Sequence, residues 1–273
     1  MNWVCHNGEM VPGGQPLFDA GNRSFRYGDG LFETMRVYKK ELLLESLHFN
    51  RLFTGLQLLN IRPAAHFTPD VLQQNILQLC QINGCAHLAR VRLAVYRTET
   101  GEAGYVIEAF AVGKDALQWN KDGWKLVVYG LARKSCDAFA NLKSANYLPY
   151  VLAGAFAAGQ GADEALVLNT YNHVADGSKT NIFLIKEKTI YTPALHQGCV
   201  SGVMRRHVID NLKVMGYVLH QIEISEQLLL EADEVFCTNA VQGIRWVKSF
   251  AGKEYGNTLT RQIYKQLFAQ QLL

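Results

Sequence analysis

Long apolar runs are missing from this chain: none approaches the ~20 residues that a helix needs to cross a bilayer. The opening Met1-Asn2-Trp3-Val4-Cys5-His6 has no basic stretch ahead of an apolar core, so no leader is expected and the chain is assigned to the cytoplasm. No CxxC spacing occurs among the six cysteines, Cys5, Cys80, Cys85, Cys136, Cys199 and Cys237. That argues against a zinc site or a disulfide framework and for reduced thiols, and no metal is expected. Charge of one sign is scarce as well. A net +3, with no basic run interleaved with aromatics, gives no ground for nucleic acid as a partner. Internal repeats, low-complexity segments and long linkers are absent too.

What is present is a chain of 273 residues, 49% hydrophobic and 19% charged, the composition of a globular protein with one large domain or two modest ones. The first half reads as a small α/β unit. Residues 31–38 alternate apolar and polar, a turn at 39–41 follows and residues 42–44 begin a second strand, which together predict a hairpin. Ser46 is placed to cap a helix over 47–59, whose Leu47, Leu52, Leu56 and Leu59 recur at helical spacing. A second amphipathic helix is expected over 69–82, then strands over 89–96 and 105–112. From about Trp124 the pattern alternates strands and helices, with elements at 125–129, 148–158, 164–168, 182–185, 205–215 and 234–238. The polar stretch near 114–122 is the natural join. The division is therefore a small N-terminal α/β domain over 1–113, a linker over 114–122 and a larger C-terminal domain over 123–273.

Several residues carry possible chemistry. Lys143, within Asn141-Leu142-Lys143-Ser144-Ala145-Asn146-Tyr147, has no acidic residue nearer in sequence than Asp137 and precedes an alanine-rich helical run. It is either an ordinary surface lysine at a helix start or a desolvated amine suited to attack a carbonyl. Arg51, in His48-Phe49-Asn50-Arg51-Leu52, is either a solvated helical arginine or a planar, permanently charged donor for a phosphate. Ser201-Gly202 precedes a helix starting at about Val203. The amides of Val203 and Met204 would then point out of a helix N-terminus, where an anion is favoured. Asp176 lies before Gly177-Ser178 and Asn181, and could equally cap a turn.

Together these stretches form an ordered set: Lys143, then Gly161-Ala162-Asp163-Glu164-Ala165-Leu166-Val167-Leu168-Asn169, Asp176-Gly177-Ser178-Lys179-Thr180-Asn181, and Gly198-Cys199-Val200-Ser201-Gly202-Val203-Met204-Arg205. The set resembles the class IV, or fold type IV, pyridoxal-phosphate enzymes, a family that includes aminodeoxychorismate lyases and branched-chain and D-amino-acid aminotransferases. The resemblance runs from about Phe25 to about Tyr255. It implies a two-domain α/β (α+β) fold with pyridoxal 5'-phosphate in the cleft, Lys143 as the Schiff-base and catalytic lysine, and Arg51 on the cofactor phosphate. It also implies that Val200 packs on the pyridine ring, that Val203, Met204 and Ala240 contribute to the phosphate site, and that Asn181 borders the cofactor. Asp176 would hold the ring nitrogen where most of the family has glutamate; being one methylene shorter, it does so by a backbone shift or through a water. Tyr27, Arg97 and Tyr147 are the implied substrate-facing residues, and His173 and Lys179 are taken as solvated.

The activity implied is that of a lyase releasing pyruvate and 4-aminobenzoate from aminodeoxychorismate in folate synthesis. An aminotransferase acting on branched-chain or other small amino acids is the alternative, and a non-catalytic pyridoxal-phosphate-binding protein a minor one. The loop 97–105 lacks the histidine of the D-amino-acid enzymes, and Thr238-Asn239-Ala240-Val241-Gln242-Gly243-Ile244 looks most like the lyases. A homodimer is implied by the family, with a small-molecule substrate as the other partner.

Overall fold

A computed structural model describes residues 2–268 and divides the chain into two compact units. In chain order the elements are β1 (Trp3–His6), β2 (Glu9–Pro12), α1 (Arg23–Tyr27), β3 (Gly30–Tyr38), β4 (Glu41–Leu42), α2 (Glu45–Leu58), α3 (Pro69–Ile82), β5 (Leu88–Arg97) and β6 (Ala103–Ala111). There follow β7 (Trp124–Lys134), α4 (Leu148–Gly159), β8 (Glu164–Asn169), β9 (Val174–Gly177), β10 (Asn181–Lys186), β11 (Thr189–Pro193), α5 (Val203–Val214), β12 (Leu219–Ile222), α6 (Glu226–Glu231), β13 (Glu234–Asn239), β14 (Gly243–Phe250), β15 (Lys253–Glu254) and α7 (Thr258–Phe268).

The first unit comprises residues 1–116 and 142–147. Its antiparallel sheet runs β2-β1-β6-β5-β3-β4. Because side chains alternate along a strand, Leu31, Glu33, Met35 and Val37 share one face of β3 and pack toward the helices. There the apolar members meet Leu52 and Leu56 of α2 and Leu72, Ile76 and Leu79 of α3. The predicted helix over 69–82 is found with those bounds; Thr68 caps it and Pro69 opens its first turn, where the missing N–H costs nothing. The expected hairpin forms, although its second strand is only Glu41–Leu42. Ser46 is not a cap. The chain leaves the hairpin through Leu44 at φ 55°, helix α2 starts at Glu45, and no side chain caps it.

The second unit comprises residues 117–141 and 148–273. Its mixed sheet runs β12-β11-β10-β13-β14-β7-β8-β9, with β15 on β14; the β11–β12, β14–β7 and β7–β8 pairs are parallel and the rest antiparallel. Its core gathers Leu166, Leu168, Ile182, Leu184, Val235, Cys237 and Val247. Residues 142–147, expected with the C-terminal domain, associate with the first unit. The Phe32 N–H donates to the Lys143 carbonyl (2.9 Å) and the Ala145 N–H to the Gly30 carbonyl (2.9 Å), which forms an isolated antiparallel bridge between Ser144 and Leu31 beside the start of β3. All six cysteines are free thiols. Among the described residues no helix is long and apolar enough to cross a membrane.

Candidate active site

In the first unit the bridge beside β3 holds the Lys143 backbone, and the Lys143 ammonium lies against two rings. It lies 4.6 Å from the centre of Phe32 and 5.2 Å from that of Tyr147, and the two rings meet edge to face at 5.0 Å. Arg92, on β5, places its guanidinium 4.0 Å from the centre of the same Phe32 ring. Two cations thus share one aromatic ring. Arg92 carries no hydrogen bond or ion pair among the described residues. Burial pulls its pKa down, opposed by the Glu108 carboxylate.

Arg51 sits one helical turn beyond His48 on α2, and both reach the buried Glu33. The Arg51 Nε donates to Glu33 Oε1 (2.8 Å) and its Nη2 to Oε2 (2.5 Å), while His48 Nδ1 approaches Oε2 at 2.6 Å. Burial pushes the Glu33 carboxyl up, but the Arg51 charge and the His48 hydrogen bond together outweigh it, leaving the pKa at about 2. Burial drives His48 the other way, toward its neutral form, so the charge that faces Glu33 is that of Arg51. With Nδ1–H turned to Glu33, the buried His48 Nε2 has no partner.

Arg97, expected on the substrate, is spent inside the first unit. Its guanidinium donates to both Asp29 oxygens (2.9 and 3.2 Å) and to the carbonyls of Asn60 and Leu59 (both 2.8 Å). Asp29 is accordingly held below the usual carboxylate range, first by Arg97 and also by Arg23. Tyr27 ends α1, exposed, with the Arg23 and Arg26 guanidinium groups 5.4 and 5.1 Å from its ring centre. Tyr147 is the member of that expected trio lying against Lys143.

In the second unit Asp176, on β9, is buried in a ring of donors. Tyr150 Oη (2.9 Å) and the Val200 N–H (2.8 Å) donate to Oδ2, and Asn181 Nδ2 to Oδ1 (2.7 Å). Burial raises its pKa to about 6, against the pull of Lys134, the Val200 amide, Tyr150 and Arg205, so at neutral pH it is largely ionised. Asn181 also donates to the Val200 carbonyl (2.9 Å) and thereby clamps β10 to the loop ahead of α5. Gly202 is the N-cap of α5, with no side-chain cap bond, so the helix start keeps its amides for another acceptor. A Cβ at Gly202 would come within 1.8 Å of Asn181 Oδ1, which is why glycine stands there. After β13, Asn239 Oδ1 accepts the amides of Val241 (3.1 Å) and Gln242 (2.7 Å) and fixes the turn that carries Ala240. The Thr238 hydroxyl just before it is buried with no hydrogen-bond partner among the described residues. Lys179 is exposed, as expected. His173 is half-buried and reaches Gln197 Oε1 (3.0 Å).

Each unit by itself carries groups of the kind a phosphorylated pyridine aldehyde could use: the first an amine on Lys143, the second a carboxylate on Asp176, the uncapped start of α5 and the buried Thr238 hydroxyl. Glu33, His48, Arg92, Tyr150 and Lys134 were not identified from the sequence. One signal was available for Glu33: it shares its face of β3 with Leu31, Met35 and Val37, and a charge at such a core-facing position must find a partner.

The model of the class IV aminotransferase family matches residues 30–250, and the chain belongs to that family. Among curated proteins it is 30% identical over 237 residues to the aminodeoxychorismate lyase of Vibrio harveyi, covering 86% of this chain and 88% of that one. It is 24% identical over 285 residues to the branched-chain-amino-acid aminotransferase of Pseudomonas aeruginosa, covering 97% and 91%. Among solved structures, a branched-chain amino acid aminotransferase from T.th. with pyridoxamine 5'-phosphate superimposes with a TM-score of 0.87 at 22% identity, covering 98% of this chain and 93% of that one. The fold is thus that of the class IV enzymes, and the relatives divide between lyases and aminotransferases.

Proposed function

We propose that the chain is a pyridoxal-phosphate-dependent 4-amino-4-deoxychorismate lyase that releases pyruvate and 4-aminobenzoate. The observation that carries this is the 30% identity to the Vibrio harveyi lyase over 88% of that protein, together with a lysine, a buried carboxylate and an uncapped helix start in the required chain order. The alternative, an aminotransferase for branched-chain or other small amino acids, is favoured by the match across 97% of this chain to the Pseudomonas aeruginosa enzyme.

Lys143 would hold the cofactor through its side-chain amine and, when that amine is free, would take the proton from the substrate Cα. Its contact with the Phe32 and Tyr147 rings limits the conformations of a long, flexible side chain. Asp176 keeps the ring nitrogen protonated, and Asn181, Val200 and Tyr150 orient its carboxylate. Arg51, preset by Glu33, with the amides of Val203, Met204 and Ala240, binds the phosphate. The bound cofactor supplies an electron sink for the carbanion formed at Cα. Arg92, beside the same Phe32 ring as Lys143, takes the substrate carboxylate role that Arg97, committed to Asp29, does not fill. We further propose a homodimer in the cytoplasm. In its support, Leu131 (87% exposed), Leu148 (62%) and Val151 (59%) leave large apolar side chains exposed on the second unit.

Incubation with aminodeoxychorismate is expected to release pyruvate and 4-aminobenzoate in equal amounts, with slow transamination of ordinary amino acids. Rapid transamination of branched-chain amino acids without pyruvate release would overturn the lyase in favour of the aminotransferase. Borohydride reduction followed by peptide mapping is expected to find the pyridoxyl label on Lys143, and a label elsewhere removes Lys143 from its role.

A further inference from the structure

Glu164, at the start of β8, is fully buried, and no cation pairs with it among the described residues. A lone carboxylate in such a place is costly unless donors surround it. Here five do. Oε1 accepts the Ala165 N–H (3.0 Å), the Ser178 N–H (2.9 Å) and the Ser178 hydroxyl (2.5 Å), and Oε2 accepts the Thr180 hydroxyl (2.8 Å) and, more weakly, the Lys179 N–H (3.4 Å). Four of the five come from the turn at residues 177–180 that joins β9 to β10. That turn is closed by the Gly177 N–H on the Thr180 carbonyl (2.8 Å). The packing leaves no room: a Cβ at Gly177 would lie 2.3 Å from Thr180 Oγ1 and 2.9 Å from Glu164 Oε2. Asp176 enters this turn and Asn181 leaves it, and the two are joined by the 2.7 Å hydrogen bond across its mouth.

We propose that Glu164 is a positioning residue for Asp176: its carboxylate fills the turn and thereby sets where Asp176 and Asn181 stand relative to each other and to Val200. The proposal rests on the assignment of Asp176 to the cofactor ring nitrogen. Both Glu164 oxygens act only as acceptors. A glutamine would turn one of them into an NH2 group facing donors, so the turn must open, and the displacement passes directly to its two ends. The other groups facing these carboxylates are Lys134, Tyr150, Arg205 and Cys199 around Asp176, and Cys237 beside Glu164.

The test uses the holoenzyme and its visible cofactor band, titrated with pH. Glu164→Gln is expected to keep its far-ultraviolet circular dichroism and still bind cofactor. A looser Asp176 contact lowers the proton affinity of the ring nitrogen; a less protonated ring withdraws fewer electrons from the nitrogen joined to Lys143, whose titration the band reports, so the midpoint moves up by about one pH unit. For the same reason kcat falls about tenfold while KM stays within about twofold. Ser178→Ala and Thr180→Val each remove one hydroxyl donor and are expected to move the midpoint the same way by less. Should Glu164→Gln not fold, these two decide the matter. A lower melting temperature with an unmoved midpoint in whichever variants fold overturns the proposal, because it is what a purely structural carboxylate would give. A wild-type protein with no cofactor band would instead refute the cofactor assignment itself.

Discussion

Replacing Glu33 with glutamine tests whether one buried carboxylate presets the arginine assigned to the cofactor phosphate. The Arg51 side chain is only 13% exposed and gives two of its donors to Glu33, so in Glu33→Gln a mostly buried guanidinium loses its counter-charge while its shape is preserved. The magnitude follows from the carboxyl itself, whose pKa is depressed from 4.5 to about 2. A depressed carboxyl contributes stability that is fully present above its unfolded pKa and is lost as pH falls through its folded one. The contribution is thus about 3 kcal/mol at neutral pH and about 2 kcal/mol at pH 3.5. Urea unfolding of wild type and Glu33→Gln, at pH 7 and again at pH 3.5, is expected to give a difference of that size that narrows on acidification, because Glu33 of the unfolded wild-type chain takes up a proton before the folded one does. A difference below about 1 kcal/mol at pH 7, or one that does not change with pH, would refute the claim that charge rather than shape joins Glu33 to Arg51.

Two further outcomes follow from the same geometry. Arg51→Ala removes charge-assisted bonds to the phosphate and is expected to weaken cofactor binding by about 2–3 kcal/mol, thirty- to hundredfold; an unchanged dissociation constant by equilibrium dialysis removes Arg51 from the site. Leu131→Asp combined with Val151→Asp puts charge on the exposed apolar surface of the second unit and is expected to convert a dimer to a monomer in sedimentation velocity; an unchanged mass would move the interface elsewhere.

What could be read from the sequence divides by the range of the interactions involved. The helix over 69–82 was legible because its signals, a threonine cap, a proline and a 3.6-residue apolar period, all lie within it. Lys143 and Asp176 could be singled out as candidates because the stretches around them are short and ordered along the chain. Strands β1 and β2, four residues each, were too short for a period to stand out, and β9 was hidden because Val174-Ala175-Asp176-Gly177 reads as a loop until β8 pairs with it. Ser46 failed as a cap because φ at Leu44, set by the hairpin ahead of it, decides where α2 begins.

Charged side chains expose the same limit more sharply, since what a charge does depends on what stands opposite. Arg97 looked available for a substrate, and nothing within ten residues of it says otherwise; Asp29, the carbonyls of Leu59 and Asn60 and the guanidinium meet only once β3, β5 and the end of α2 have assembled. Arg92 looked like one more polar residue of an alternating strand, yet the register that sets Thr34 opposite it leaves its guanidinium on Phe32, next to Lys143. Strand register therefore decides which arginine is spent on the fold and which is left for a ligand, because a one-residue slip of β5 against β3 would exchange the faces of both. The buried carboxylates obey the same logic in reverse. Glu33, Glu164 and Asp176 are each tolerated in a core because distant segments bring donors to them, and each then holds those donors in place. A site assembled in this way fixes a few polar atoms precisely, and its cost is that the loss of any one carboxylate loosens groups far from it in the chain.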